Sequence, residues 1–427
     1  MRSVMEAGVE GAAAGAFARG AKSGWELKEA RPHGRDRRAM RHAPTPIKGF
    51  ASKRSICCRV GTDAGFVSLF FVLTPGWPPR RRRRRAPKND EGEEKRRGEG
   101  EGRKRAENSW IMAFTIALDW TPNANHAGFY VAAARGLYAE RGLAVTFRVP
   151  DADGYELAPA KAVLSGEAHF AVGPSETAIA YATGAQAQLV AVAALLQTDT
   201  SAIAALADSG ITRPRDLDGK TYASYSARFE LATVKAMIRA DGGRGDLTEV
   251  VPPRLACFDE VLAQRADATW IFSPHEGVLA KARGVALASF CPTDFGVPYG
   301  YSPVLLAAPS LLAARPADVR AFLAATAAGF ALAAADPDAA AEALRTVSQH
   351  ASLADAAFVR ASLHAAAPAF LNPSGAWGVM DAARWDAFIA FLAREGLLVA
   401  ADRAGAPLEP AHMPTASRIA TNDYLPQ

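Results

Sequence analysis

FTIALDWTPNANHAGFYVAAARGLYAERGLAVTFRV, Phe114 to Val149, decides the fold class. Its first seven residues, FTIALDW, alternate and are rich in β-formers, the pattern of a half-buried strand. TPNANHAGF reads as a Pro/Asn turn, since proline fixes φ and asparagine bonds to nearby backbone. Gly128 to Arg141 then carries apolar residues at helical spacing, and LAVTFRV, Leu143 to Val149, reads as a second strand. Strand, turn, helix and strand in that order predict a parallel pair, which needs a helical crossover rather than a hairpin.

The alternation continues outward. Helices are predicted over Tyr155 to Ser165, Ser175 to Thr183 and Glu230 to Asp241. Strands are predicted over His169 to Val172, Leu189 to Leu195, Thr248 to Val251 and Ala268 to Phe272, and a turn, short helix and strand over Gly210 to Tyr225. From Pro303 onward the chain becomes alanine-rich helix: Ala317 to Ala334, Pro337 to Ser348, Leu353 to Ala367 and Ala383 to Gly396. This is an α/β chain, and its length from Met112 onward exceeds a comfortable single core, which predicts two lobes. The expected division puts 112–203 and 304–427 in lobe one, with lobe two at 204–303.

Charge separates this part from the residues before it. Residues 1–111 hold 26 Lys+Arg against 13 Asp+Glu, and the remainder holds 23 against 31, so a net charge of +5 describes neither part. The arm has an arginine run, Arg80 to Arg85, followed by the mixed-charge DEGEEKRRGEGEGRKR. Such composition cannot offset the entropy of ordering a chain, so the arm is expected to be a disordered, low-complexity basic segment. Its apolar island, Gly65 to Trp77, is too short to span a bilayer as a helix and too far in to be a signal peptide. No membrane span and no signal peptide are therefore expected, which points to the cytoplasm. A nucleic-acid role would act through the arginine arm alone. The plain reading of the arm is a solvated tail, or translated upstream sequence with Met112, just before the strand at Phe114, as the native start.

Other chemistries lack their signatures. Cys57, Cys58, Cys257 and Cys291 show no CxxC spacing and no zinc pattern. No GxGxxG follows a strand, and GxxxxGK[ST], HExxH and GxSxG are absent, which removes the common nucleotide, zinc-protease and α/β-hydrolase motifs.

Two stretches, LDWTPNANHAGFYVAAARGLYAERGL (Leu118 to Leu143) and GITRPRDLDGKTYASYS (Gly210 to Ser226), carry a resemblance. With HFAVGPSETAIAYATG, TWIFSPHEG and VPYGYSPVLLA, they are similar to a superfamily of periplasmic-binding-protein-like type II (SsuA/Thi-like) proteins. That group includes bacterial binding proteins for formylaminopyrimidine-type thiamine precursors and the fungal thiamine-pyrimidine synthases. The resemblance implies two lobes closing on a small aminopyrimidine, in thiamine biosynthesis or salvage.

Ligands of open α/β sheets sit beyond the carboxyl ends of strands. A flat aminopyrimidine needs an aromatic face and a carboxylate or amide to read its polar edge. Trp120, Tyr225, Tyr299 and Tyr301 are the candidate aromatics. Asn123, Asn125, His126, Ser175, Glu176 and Glu276 are candidate polar readers, and Ser226 and Arg228 could meet a phosphate. Each has a plainer role open to it: Trp120 as core, the asparagines as turn formers and caps, Glu176 as a partner of a helix dipole, the tyrosines as hinge packing. His126 is also the one candidate for catalysis.

Under the resemblance, the alternative is a 4-amino-5-hydroxymethyl-2-methylpyrimidine phosphate synthase using pyridoxal phosphate and iron. In the synthases the helix after the short first-lobe strand supplies a lysine and a histidine. Ala171 to Gly184 has neither, and Cys291 stands alone in ASFCPTDFG where a cysteine cluster would fall. Binding without cofactor or metal is the leading expectation.

Overall fold

The computed structural model describes residues 57–62 and 65–70 as backbone, and 112–184, 186–252, 256–400 and 408–426 in full. The chain forms two compact units. In one of them β1 (Cys57–Thr62) and β2 (Gly65–Phe70) pair antiparallel, with Cys57 opposite Phe70. The sequence reading places no strand here, taking 1–111 as a disordered arm that holds one apolar island at Gly65 to Trp77. The rest of the expected disordered arm lies outside the described residues.

The other unit holds both lobes. Among the described residues, ten strands make two five-stranded sheets. The first runs in the order β4-β3-β5-β12-β6, with β3 (Met112–Ala117), β4 (Leu143–Arg148), β5 (Phe170–Gly173), β6 (Val190–Ala194) and β12 (Val304–Ala307). The second runs β11-β7-β10-β8-β9, with β7 (Ser201–Leu206), β8 (Lys220–Ala223), β9 (Leu247–Val250), β10 (Ala268–Phe272) and β11 (Leu287–Phe290). The β3–β4 pair is parallel in unbroken register from Met112/Leu143 to Ala117/Arg148, as the opening stretch predicts. One strand in each lobe, β12 and β7, runs antiparallel to its neighbours.

The sequence reading has no strand at β7. SAIAAL is a run of small apolar residues without alternation, so it carries no period-2 signal, yet both its faces are covered. The expected lobe boundary at 203/204 falls inside β7; the chain changes sheet between Ala194 and Ser201, and returns between Phe290 and Val304.

Helix Ala127–Ala134 is clamped against helix Pro316–Ala335 at a crossing of two glycines. A Cβ on Gly329 would lie 2.2 Å from the Gly128 carbonyl oxygen, and one on Gly128 would meet the Phe330 ring. Around this crossing Phe114, Phe170 and Phe322 are fully buried, with Phe170 stacked on Phe322 at 4.4 Å. Each such ring contributes roughly 1.5–3 kcal/mol by burial. Pro316–Ala335 is, among the described residues, the one helix long and apolar enough to cross a membrane. Here Val319, Phe322, Leu323 and Phe330 are packed inside the lobe, so it is a core helix.

Candidate functional site

Four loops meet around a cavity of about 180 Å³. At roughly 30 Å³ per water, it holds on the order of six waters or one small heterocycle. Each loop follows the carboxyl end of a strand: Asp119 to Asn125 follows β3, Pro174 to Tyr181 follows β5, Tyr225 to Glu230 follows β8, and Phe272 to Glu276 ends and follows β10. Tyr299, Ser302 and Pro303, on the returning strand connection, complete the lining.

The β3 turn is shaped by its own side chains. Asn123 caps the short 3-10 turn Ala124–His126: its side chain accepts from the Asn125 N–H at 2.9 Å and donates to the Thr121 carbonyl at 3.0 Å. His126 Nδ1 accepts from the Asn123 N–H at 3.3 Å, leaving Nε2 to carry the proton and donate to Asp119 at 2.8 Å. That locks the turn and presents Trp120. The indole stands 6.3 Å from Tyr225 and 5.9 Å from Tyr155, so it reaches toward the second lobe's wall. Trp270, Phe229 and Phe272 extend the aromatic surface.

Glu176 is the polar centre of the first-lobe side. Its Oε1 accepts from the Tyr299 hydroxyl at 2.7 Å, while Oε2 is buried with no hydrogen-bond partner. Burial pushes its carboxyl up to about 7, against the pull of Tyr299; Asp199 and Glu230 nearby add to the rise. On the second-lobe side, Glu230 is 5% exposed and accepts four hydrogen bonds. Burial pushes it up to about 7 as well. Arg228 lines the cavity with its guanidinium 5.3 Å from the Phe229 ring and has no ion pair among the described residues. Glu276 sits in a π-helical turn, where its Oε2 accepts the Phe272 N–H at 2.9 Å.

Of the twelve expected contacts, Trp120, Asn123, Asn125, Glu176, Tyr225, Arg228, Glu276 and Tyr299 line the cavity. Four do not. His126 is fully buried with both ring nitrogens engaged in the turn, which leaves it no open position for substrate or proton transfer. Ser175 is sealed beneath Gly300, where even a Cβ would lie 2.3 Å from its hydroxyl. Ser226 is exposed at φ 60° and its N–H is spent on Ser224. Tyr301 points the other way: its hydroxyl accepts the Asp381 N–H, and its ring lies 4.1 Å from the Arg384 guanidinium. Sequence reading misses Glu230, Trp270 and Asp119. The first had a signal, a glutamate opening a helix just after a serine-rich turn; the other two had none beyond lying near a strand end.

Residues 123–340 match the family described as NMT1/THI5 like. The chain belongs to that family. It is 27% identical over 279 residues to the formylaminopyrimidine-binding protein of Halalkalibacterium halodurans, covering 65% of this chain and 83% of that one. The fold is that of periplasmic binding proteins. The alkanesulfonate-binding protein SsuA from Xanthomonas axonopodis pv. citri, solved with MOPS, superposes at TM-score 0.52 with 16% identity, covering 71% of this chain and 98% of its own. The aliphatic sulphonate-binding SsuA of Escherichia coli gives 0.50 and 17%, covering 70% and 92%.

Two cofactors raised by the resemblance do not fit these residues. No lysine lines the cavity, so a Schiff base to pyridoxal phosphate has no amine there. Among the described residues no three His, Cys, Asp or Glu side chains group as a metal site, and Cys257 is buried away from the lining.

Proposed function

We propose that this chain binds a small aminopyrimidine of the thiamine-precursor kind, such as formylaminopyrimidine or hydroxymethylpyrimidine, in the cavity between Trp120 and Tyr225, and serves thiamine biosynthesis or salvage. The observation that carries the reading is the buried, unpartnered Oε2 of Glu176, a residue that lines an aromatic-walled cavity. A 4-aminopyrimidine edge pairs a ring-nitrogen acceptor with an amine donor. A carboxyl with a pKa near 7 is available in its protonated form at neutral pH, and then offers an O–H to the ring nitrogen and an oxygen to the amine. Oε1 keeps a lone pair for this while holding Tyr299. Arg228 supplies a donor for a formyl or hydroxyl oxygen. The family membership and the formylaminopyrimidine-binding relative support the same choice.

Native mass spectrometry of the full chain with N-formyl-4-amino-5-aminomethyl-2-methylpyrimidine, 4-amino-5-hydroxymethyl-2-methylpyrimidine and MOPS tests it. One unmodified pyrimidine per chain is expected; retention of MOPS alone refutes the reading.

A further inference from the structure

The turn between β8 and the helix Glu230–Ala240 has the parts of an anion site. The helix is 11 residues long, so its first turn carries unsatisfied N–H groups and the positive end of the dipole. Two backbone N–H groups, those of Tyr225 and Ala227, converge with the hydroxyls of Tyr222 and Ser224 on one carboxylate-sized position, two donors to each of its oxygens at 2.9 to 3.2 Å. Four donors arranged so are what a phosphate or sulfonate requires.

That point is already filled. The Glu230 carboxylate, reaching back from the first residue of the helix, accepts Tyr222 and Tyr225 on Oε1, and Ser224 and Ala227 on Oε2. The hydrogen-bonding capacity of the carboxylate and of its cradle are matched to each other, with no cation present. Glu230 also lines the cavity, together with Asp119, Glu176 and Glu276. Against four carboxyls the lining sets the guanidinium of Arg228 and the imidazole of His275.

We propose that Glu230 is a specificity-determining residue: an anion supplied by the chain itself, which occupies the phosphate or sulfonate position and restricts the cavity to uncharged or cationic heterocycles. An entering anion finds the Tyr225 and Ala227 N–H groups and the Tyr222 and Ser224 hydroxyls already engaged by Glu230, and faces Asp119 and Glu276 across the lining. Arg228 alone offers it a fork without the cradle. The proposal rests on the aminopyrimidine reading only for the identity of the uncharged ligand; the anion exclusion stands on the turn.

Titration calorimetry on the full chain and its variants uses three probes: inorganic phosphate, 4-amino-5-hydroxymethyl-2-methylpyrimidine and the phosphate ester of that alcohol. Wild type is expected to prefer the alcohol over the ester by about tenfold or more. Glu230→Ala frees two N–H groups and two hydroxyls and opens the space they face. It should bind inorganic phosphate about tenfold or more tightly than wild type and lose the preference against the ester. Where circular dichroism shows Glu230→Ala unfolded, Glu230→Gln reads the same titration. Its amide leaves one N–H facing another N–H and should give a smaller gain in phosphate affinity. Wild type binding ester and alcohol equally overturns the proposal, as does a folded Glu230 variant with no gain for phosphate. Gain for phosphate in the variant, with neither pyrimidine bound by wild type, leaves the role of Glu230 standing and removes the aminopyrimidine reading.

Discussion

Replacing Glu176 with glutamine probes the proposed recognition most sharply, because it separates hydrogen bonding from ionisation. In the free protein burial holds the Glu176 carboxyl at about 7, far above its ordinary 4.5. The complex with a neutral aminopyrimidine carries one proton shared between carboxyl and ring nitrogen, so binding above pH 7 must take up a proton. Half of the carboxyls hold one at pH 7 and about one in a hundred does at pH 9, so affinity should fall about fifty-fold, roughly 2 kcal/mol. The sign follows from the raised value: the protonated form is present below 7 and is lost as pH rises through it. A glutamine amide presents N–H and C=O as the protonated acid does, and Oε1 still accepts Tyr299. Glu176→Gln should therefore bind within about threefold of wild type at pH 7 and keep that affinity to pH 9. Glu176→Leu leaves two ligand polar atoms unpaired, at about 1–3 kcal/mol each, and should lose binding by at least about thirty-fold, with an upper bound of about 25,000-fold at about 6 kcal/mol. Calorimetry with 4-amino-5-hydroxymethyl-2-methylpyrimidine at pH 7, 8 and 9, in buffers of different ionisation enthalpy, reads affinity and proton uptake together. A wild-type affinity flat from pH 7 to 9, or a glutamine variant with the wild-type slope, refutes the reasoning.

Three further outcomes are expected. Tyr299→Phe removes the donor that favours ionised Glu176, so the pH at which affinity falls should move upward; calorimetry across pH 6 to 10 measures the midpoint, and a downward move contradicts the assignment. Trp120→Ala strips one aromatic wall and should weaken the pyrimidine by about 1–3 kcal/mol, from about fivefold up to roughly 150-fold, while quenching of tryptophan fluorescence by ligand diminishes; unchanged affinity removes Trp120 from the site. Gly329→Ala drives a methyl into the Gly128 carbonyl and should destabilise the first lobe by roughly 1–3 kcal/mol, seen as a lower urea midpoint, whereas an unshifted midpoint means the two helices can part without cost.

Much of this architecture was legible because it rests on local pattern. β3, the Pro/Asn turn, the following helix and β4 all follow from period-2 and period-3.6 spacing within one stretch, and their order forces a parallel pair. Ala268 to Phe272 was readable to the residue, being a bounded apolar run. β7 was not: its small residues are apolar on both faces, and burial on both faces erases alternation.

At the site, the sequence alone indicated which strand ends line the cavity, since the carboxyl ends of parallel strands leave backbone and side chains pointing into one crevice. It thereby indicated Trp120, Glu176, Tyr225, Arg228 and Glu276. Tertiary structure alone decided which neighbours at those ends face the cavity. His126 and Ser175 lie one or two residues from lining positions yet turn inward, because a capped turn and the close approach of Gly300 consume them. Only the return of the chain from the second sheet places Glu176 against Tyr299, 123 positions away, and its second oxygen stays buried without a partner. Burial and partnership set a carboxyl's protonation, and both come from residues far apart in the chain.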